Sequence, residues 1–295
     1  ALQVAPKINR AISRLEVPQC SVGEGPLWDV PTQQYFWIDI LEKCVYRLDP
    51  ATGRTQRWPV PNIIGSMAIA QDGNAIVALA NGVHRLDFAS GECRMLATSP
   101  DLNEQVQLAD GKVDRRGRFI VGSSDRGMKE ARGKLYALDP GATSLRVIDT
   151  DIFLANGPCW SPDDRTFYHA DSIRKLIYAY DYDIARGTVS NRRPFASTAE
   201  LGGIPDGATV DAEGHVWSAI CEGGKLVRFR PDGRIERIVT MPLKLPGSVM
   251  FGGANGATLF NTTWEYDGVD WTLHPTATSP AGRYRAGCAY DDVRA

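Results

Sequence analysis

The sequence predicts an all-β fold, a six-bladed β-propeller of four-stranded antiparallel blades, formed as a single domain over residues 1–295. Three observations predict it. A glycine-led unit recurs six times along the chain, and short runs of β-forming residues fill the intervals. No stretch keeps a helical period over the window of about 11–18 residues that a helix would need.

The recurring unit is a loop with a glycine, then a short strand and a turn. Its first glycines are Gly25, Gly65, Gly111, Gly157, Gly207 and Gly247, spaced by 40, 46, 46, 50 and 40 residues. A second unit follows the first: CVYRLDP, GVHRLDF, KLYALDP, LIYAYDYD and KLVRFRPDG. The runs Phe36-Trp37-Ile38, Ala75 to Leu79 and His215 to Ile220 are rich in β-formers. Hairpin punctuation such as Asp72-Gly73, Glu213-Gly214 and Asp232-Gly233 bounds them. Four short strands repeated every ~45 residues make a propeller blade. Trp28, Trp37, Trp160 and Trp217 fall in strand contexts and are expected to pack between blades. The fifth outer unit is followed by only one more inner loop. The ring is therefore expected to close with an N-terminal strand from Ile12 to Val17, leaving residues 1–11 as a loose extension.

Composition narrows the function. The net charge of −2 and the absence of long like-charge blocks argue against a nucleic-acid or membrane-surface partner. Six cysteines are scattered with no C-x-x-C spacing, which argues against a zinc knuckle or redox motif. No apolar run approaches the ~20 residues of a membrane-spanning helix. The first residues lack the apolar core of a signal peptide, so a cytoplasmic location is expected. There is no G-x-S-x-G elbow, H-E-x-x-H or Walker loop. The four histidines, His84, His169, His215 and His274, lack metal-ligand spacing and read as surface or core residues.

What remains is positional. The inner strand of each blade and the loop entering it line the central channel, so the six glycine units converge on one axis. Oxygen donors stand immediately before the repeat glycine in three of them: Glu24, Asn156 and Asp206, with Asp110 a fourth candidate. Asn-Gly and Asp-Gly are also ordinary turn dipeptides. Recurrence at equivalent positions, and Glu24, are what turn propensity does not explain. Two carboxylates and an amide meeting at one point are costly to desolvate unless a cation joins them. Hard oxygen donors suit one divalent cation, Ca²⁺, Mg²⁺ or Mn²⁺, with waters completing the shell; Zn²⁺ is a further candidate.

The segments GEGPLWD, DGKVDRRGRFIVGS, LANGPCWSPDDRTFYHADS with its trailing IYAYDYD, and GGIPDGATVDAEGHVW, in that order, resemble the SMP-30/gluconolactonase/luciferin-regenerating-like family, also called regucalcin-like. The resemblance runs from roughly Glu16 to the C-terminus. It implies a six-bladed propeller, one divalent cation and hydrolysis of sugar lactones. Glu24, Asn156 and Asp206 match the family's metal ligands, and Asp206 also matches its proton-transfer residue. The substrate half departs. Members commonly have Arg-x-Asn before the Asp-Gly of the third blade, where this chain has Gln107-Leu108-Ala109, so Gln107 is the substrate-binding candidate that remains. Arg126 reads first as a solvated loop arginine, and it replaces part of the missing charge only if its loop folds over the pocket.

The expected function is therefore metal-dependent opening of an aldonolactone to its aldonic acid, with a small-molecule lactone as partner and Asp206 as general base and acid. A phosphotriesterase or other esterase at the same metal site is the alternative, and a non-catalytic metal-binding interaction propeller is the third reading.

Overall fold

The computed structural model describes residues 15–253, 258–261 and 264–266. Every strand pairs with its chain neighbour, antiparallel, through short turns. The first blade is β1 (Gly23–Asp29), β2 (Gln34–Asp39), β3 (Cys44–Asp49) and β4 (Arg54–Pro59). The second is β5 (Ile64–Ile69), β6 (Ala75–Leu79), β7 (Gly82–Leu86) and β8 (Cys93–Ala97). The third is β9 (Val106–Val113), β10 (Phe119–Asp125), β11 (Gly133–Leu138) and β12 (Arg146–Ile152). The fourth is β13 (Ala155–Trp160), β14 (Thr166–Asp171), β15 (Leu176–Asp183) and β16 (Thr188–Ser197). The fifth is β17 (Ile204–Val210), β18 (Val216–Cys221), β19 (Lys225–Phe229) and β20 (Ile235–Thr240).

The last glycine unit departs from this pattern. It forms a three-stranded sheet of β21 (Met250–Gly252), β22 (Thr258–Asn261) and β23 (Trp264–Tyr266). The expectation of six four-stranded blades is thus corrected to five such blades and one smaller sheet. The inner strands β1, β5, β9, β13 and β17 follow one another around the axis, and β21 touches both β17 and β1.

The N-terminal strand expected over Ile12 to Val17 is not formed by its described part. Leu15 to Val17 belong to no strand. The Val17 amide donates back to the Leu15 carbonyl at 3.0 Å, a three-residue turn. Pro18 follows with no N–H to give, so two consecutive ladder donors are missing. Leu15 and Val17 instead pack against the cluster that holds Trp28, Trp37 and Met250, beside the junction of the first blade and the last sheet. Residues 12–14 and the extension 1–11 lie outside the described residues.

The core lies between blades rather than within them. Phe36 and Ile38 meet Ile64 and Val77 across the first interface. Leu108 and Val121 meet Ala68 and Ala78 at the second, and Tyr168 and Ala170 meet Val216 and Phe229 at the fourth. Trp160 joins the cluster between the third and fourth blades and Trp217 the one between the fifth and the last sheet. Alternation along each strand serves this arrangement, because each blade buries both faces of its inner three strands.

The repeat glycines have a packing reason. A Cβ on Gly65 would stand 2.6 Å from the Ala109 carbonyl, and one on Gly207 would stand 1.8 Å from Ser248 Oγ. Each glycine lets one inner strand lie against the next, near the axis. Five cysteines, Cys20, Cys44, Cys93, Cys159 and Cys221, are free thiols; Cys288 lies outside the described residues. Among the described residues no helix is long and apolar enough to cross a membrane.

Candidate functional site

The ladder of each inner strand is broken at the same place. Register shifts fall between Glu24 and Leu27 in β1, Asn156 and Cys159 in β13, and Pro205 and Ala208 in β17. A similar shift in the β9–β10 pairing lies opposite Ala109 and Asp110. A bulge re-aims the side chain at its edge and increases the local twist. Gly25 and Gly157 take left-handed φ values of 51° and 60° at two of these breaks, where a side chain would be strained.

The bulged residues share one cavity of about 250 Å³ at one end of the axis. Glu24, Gln107, Asp110, Asn156 and Asp206 all line it. Asp206 is buried, while the other four are half-buried. Leu41, Ile63, Leu108 and Leu154 supply an apolar wall, and Ala109 lies among them.

Aspartates at the ends of second strands hold the loops that enter the site. Asp39 accepts from the Ser21 amide at 2.6 Å and the Val22 amide at 3.1 Å, just ahead of Glu24. Asp171 accepts from the Phe153 amide at 3.0 Å, just ahead of Asn156, and pairs with Arg174 at 2.9 Å. Hydrogen bonds to a charged group contribute about 1.5–3 kcal/mol each, so these buried carboxylates fix the entry loops. Asp125 plays a related part in the third blade, accepting from the Lys129 amide at 2.9 Å. That bond and the Glu130 amide, with help from Arg132, keep its pKa below the usual carboxylate range.

Asn156 is oriented by Ser172. Its Nδ2 donates to Ser172 Oγ at 2.9 Å, and Ser172 Oγ donates to the Pro205 carbonyl at 2.6 Å. This commits the amide nitrogen and leaves Oδ1 as the donor atom for a cation. The same serine ties Asn156 of the fourth blade to the residue before Asp206 of the fifth. Asp110 bridges in the other direction: it accepts from its neighbour Gly111 at 2.8 Å and from Gly157 at 2.9 Å. Loss of solvent raises the Asp110 pKa, opposed by the Lys112 ammonium and by these two amides. Lys112 Nζ reaches across the axis to the Ala208 carbonyl at 2.8 Å, bracing the bulge that carries Asp206.

Glu24, Asn156 and Asp206 therefore offer three oxygen donors from three blades to one cavity, and that set fits a hard divalent cation. A second acidic cluster, Asp211, Glu213 and His215, lies at the turn between β17 and β18. Arg228 already pairs there with Asp211 and with Glu213, and the Trp217 indole donates to Asp211 at 2.9 Å. A guanidinium occupies the place a cation would take, so this cluster is an ion-paired turn.

Sequence reasoning missed Ser172, the anchoring role of Asp39 and Asp171, and the use of both Asp110 oxygens by backbone amides. A signal for the anchors was present: Trp37-Ile38-Asp39, Ser123-Ser124-Asp125 and His169-Ala170-Asp171 repeat one strand ending in aspartate. Nothing local marks Ser172, whose partners are 16 and 33 residues away.

Comparison with known proteins agrees with this architecture. Residues 22–265 match the family described as the SMP-30/Gluconolactonase/LRE-like region. A 6-deoxy-6-sulfogluconolactonase of Pseudomonas putida is 35% identical over 244 residues, 82% of this chain and 83% of the relative. A regucalcin of Xenopus laevis is 32% identical over 270 residues, 90% of each chain. A solved calcium-binding protein, a regucalcin from Agrobacterium tumefaciens, superposes with a TM-score of 0.82 at 24% identity, over 88% of this chain and 94% of that one. The chain thus belongs to the SMP-30/gluconolactonase/LRE-like family.

Proposed function

We propose that this protein is a divalent-metal-dependent hydrolase that opens a sugar lactone to its aldonic acid. The observation that carries the reading is the meeting of Glu24, Asn156 and Asp206 in one cavity, with the Asn156 nitrogen committed to Ser172. Relatives named as a sulfogluconolactonase and as regucalcins support the reaction class.

A cation bound by Glu24, Asn156 and Asp206 would supply Lewis-acid polarisation of the lactone carbonyl. Asp206 takes a proton from the attacking water as the water oxygen bonds to the carbonyl carbon. When the bond from that carbon to the ring oxygen breaks, Asp206 returns the proton to the ring oxygen. The two roles of Asp206 require different oxygens, because a ligated oxygen is a weaker base. Gln107, with one amide donor pair and one acceptor, orients the substrate hydroxyls. The product acid ionises at neutral pH, so turnover releases one proton.

The apolar wall of Leu41, Ile63, Leu108 and Leu154 beside the short Ala109 favours a second reading, an ester or phosphotriester with fewer hydroxyls at the same site.

The test is proton release from a panel of aldonolactones and simple esters, before and after chelation. Activity lost on chelation and restored by a divalent ion, with none in Asp206→Asn, supports the lactonase. Full activity in Asp206→Asn with metal still bound removes Asp206 from the mechanism. Metal binding with no turnover of any substrate leaves a non-catalytic metal-binding propeller.

A further inference from the structure

We propose that the cavity selects a lactone bearing an anionic group at the end remote from its carbonyl, and that Arg126 is the residue that selects it. The inference rests on the lactonase reading above. Arg126 lines the same cavity as Glu24, Asn156 and Asp206. It follows β10 directly, and its amide donates to the Gln105 carbonyl at 2.8 Å. That bond extends the β9–β10 ladder one step beyond its last pair, Asp125 and Val106, and two beyond the pair of Ser124 and Gln107. Residues two apart on a strand face the same side, so Gln107, Ser124 and Arg126 form one wall.

The turn behind Arg126 is built rather than loose. The Met128 amide donates to the Asp125 carbonyl at 2.9 Å, and Met128 itself takes a left-handed φ of 54°. The Asp125 side chain accepts from the Lys129 amide at 2.9 Å and pairs with Arg132 at 3.1 Å.

Neighbouring cations are already engaged. Arg132 pairs with Asp125 and Glu130, Lys134 with Asp101, and Lys112 donates to the Ala208 carbonyl. Among the described residues no carboxylate pairs with Arg126. The buried end of the cavity carries Asp206, and the exposed end carries Arg126. A divalent cation would balance Glu24 and Asp206, and Lys112 is the counter-charge to Asp110, which leaves the guanidinium as the unmatched charge at the rim. A neutral polyol leaves its donors to water. A carboxylate, sulfonate or phosphate on the exocyclic carbon takes two of them as a bidentate pair.

The test compares kcat/KM for glucono-1,5-lactone with that for lactones of the same ring carrying a terminal carboxylate, sulfonate or phosphate. Wild type is expected to prefer at least one anionic lactone, and the preferred anion identifies the group. Arg126→Gln should lower the anionic-to-neutral ratio at least tenfold, and Arg126→Glu should lower it further. A ratio unmoved by Arg126→Gln overturns the inference. Calorimetric binding of glucitol 6-phosphate against glucitol, on calcium-loaded protein, separates this outcome from failure of the reaction itself. Phosphate-dependent binding that Arg126→Gln abolishes supports the subsite even if no lactone is turned over, and then only the lactonase reading falls. Equal binding by both proteins overturns the subsite.

Discussion

Ser172 Oγ accepts a hydrogen bond from Asn156 Nδ2 at 2.9 Å, across 16 residues of sequence. Ser172 is fully buried and has its own proton committed to the Pro205 carbonyl. The pair fixes which atom of the Asn156 amide is offered to the cavity. Ser172→Ala should therefore weaken divalent-cation binding about 10–100-fold, the usual cost of removing a group that orients a ligand. Calcium titration calorimetry reads this directly. Unchanged affinity would show that Asn156 holds its orientation without the serine.

Asp110 joins the third and fourth blades through the Gly157 amide, and both of its oxygens face backbone N–H groups. Asp110→Asn puts an NH₂ against one of those donors. The variant should lose roughly 1–3 kcal/mol of stability, the cost of an unsatisfied buried donor. Urea denaturation measures it; a wild-type midpoint would mean that the bridge contributes nothing.

His169 is buried in β14 with neither ring nitrogen bonded to protein. Burial, with a smaller effect of Arg192, lowers its pKa from 6.5 to about 3. Between these values the unfolded chain binds a proton that the folded one does not, so stability falls as the pH drops below 6.5 and the fall levels off near 3. From pH 7 to pH 5 this one group costs roughly 2 kcal/mol. His169→Gln should flatten the stability profile over that interval, whatever its absolute stability. An unaltered slope in denaturation at pH 7, 6 and 5 would assign the acid sensitivity elsewhere.

Two glycines separate close packing from backbone strain. Gly73 has a φ of 82° with nothing within 4 Å of an added Cβ, whereas an added Cβ on Gly207 meets Ser248 at 1.8 Å. Gly73→Ala should cost about 1 kcal/mol, the left-handed penalty alone. Gly207→Ala should cost about 1–3 kcal/mol or more through overpacking, and it should also weaken metal binding because Asp206 is adjacent. Thermal melts with and without calcium check both. Equal, small losses would mean that the segment leading into β21, which holds Ser248, yields to the intrusion.

Much of this architecture was legible in the sequence because rotational repetition writes itself into spacing. Gly25, Gly65, Gly111, Gly157 and Gly207 mark five inner strands, and the residues before four of them enter one cavity. Closure was not legible. The repeat count called for a closing strand at Ile12 to Val17, but Leu15 to Val17 form a turn and Pro18 has no donor to give. The final glycine unit likewise reads like its predecessors while forming strands of only three, four and three residues. Orientation within the site was invisible for another reason. The bonds that aim Asn156 and brace Asp206 come from Ser172 and Lys112, and Lys112 lies 96 residues from its acceptor. Arg126 is the intermediate case: its charge was readable, but its place on the cavity wall depends on the ladder bond to Gln105.

Equilibrium dialysis against calcium, on wild type and on Glu24→Gln, Asn156→Ala and Asp206→Asn, tests the central claim most directly. One tightly bound ion per wild-type chain is predicted, with affinity at least about 100-fold weaker in each of the three variants, and wild-type binding in Glu213→Gln and His215→Ala. Undiminished binding in the first three variants, or its loss only in the last two, would contradict it and move the ion to the turn between β17 and β18.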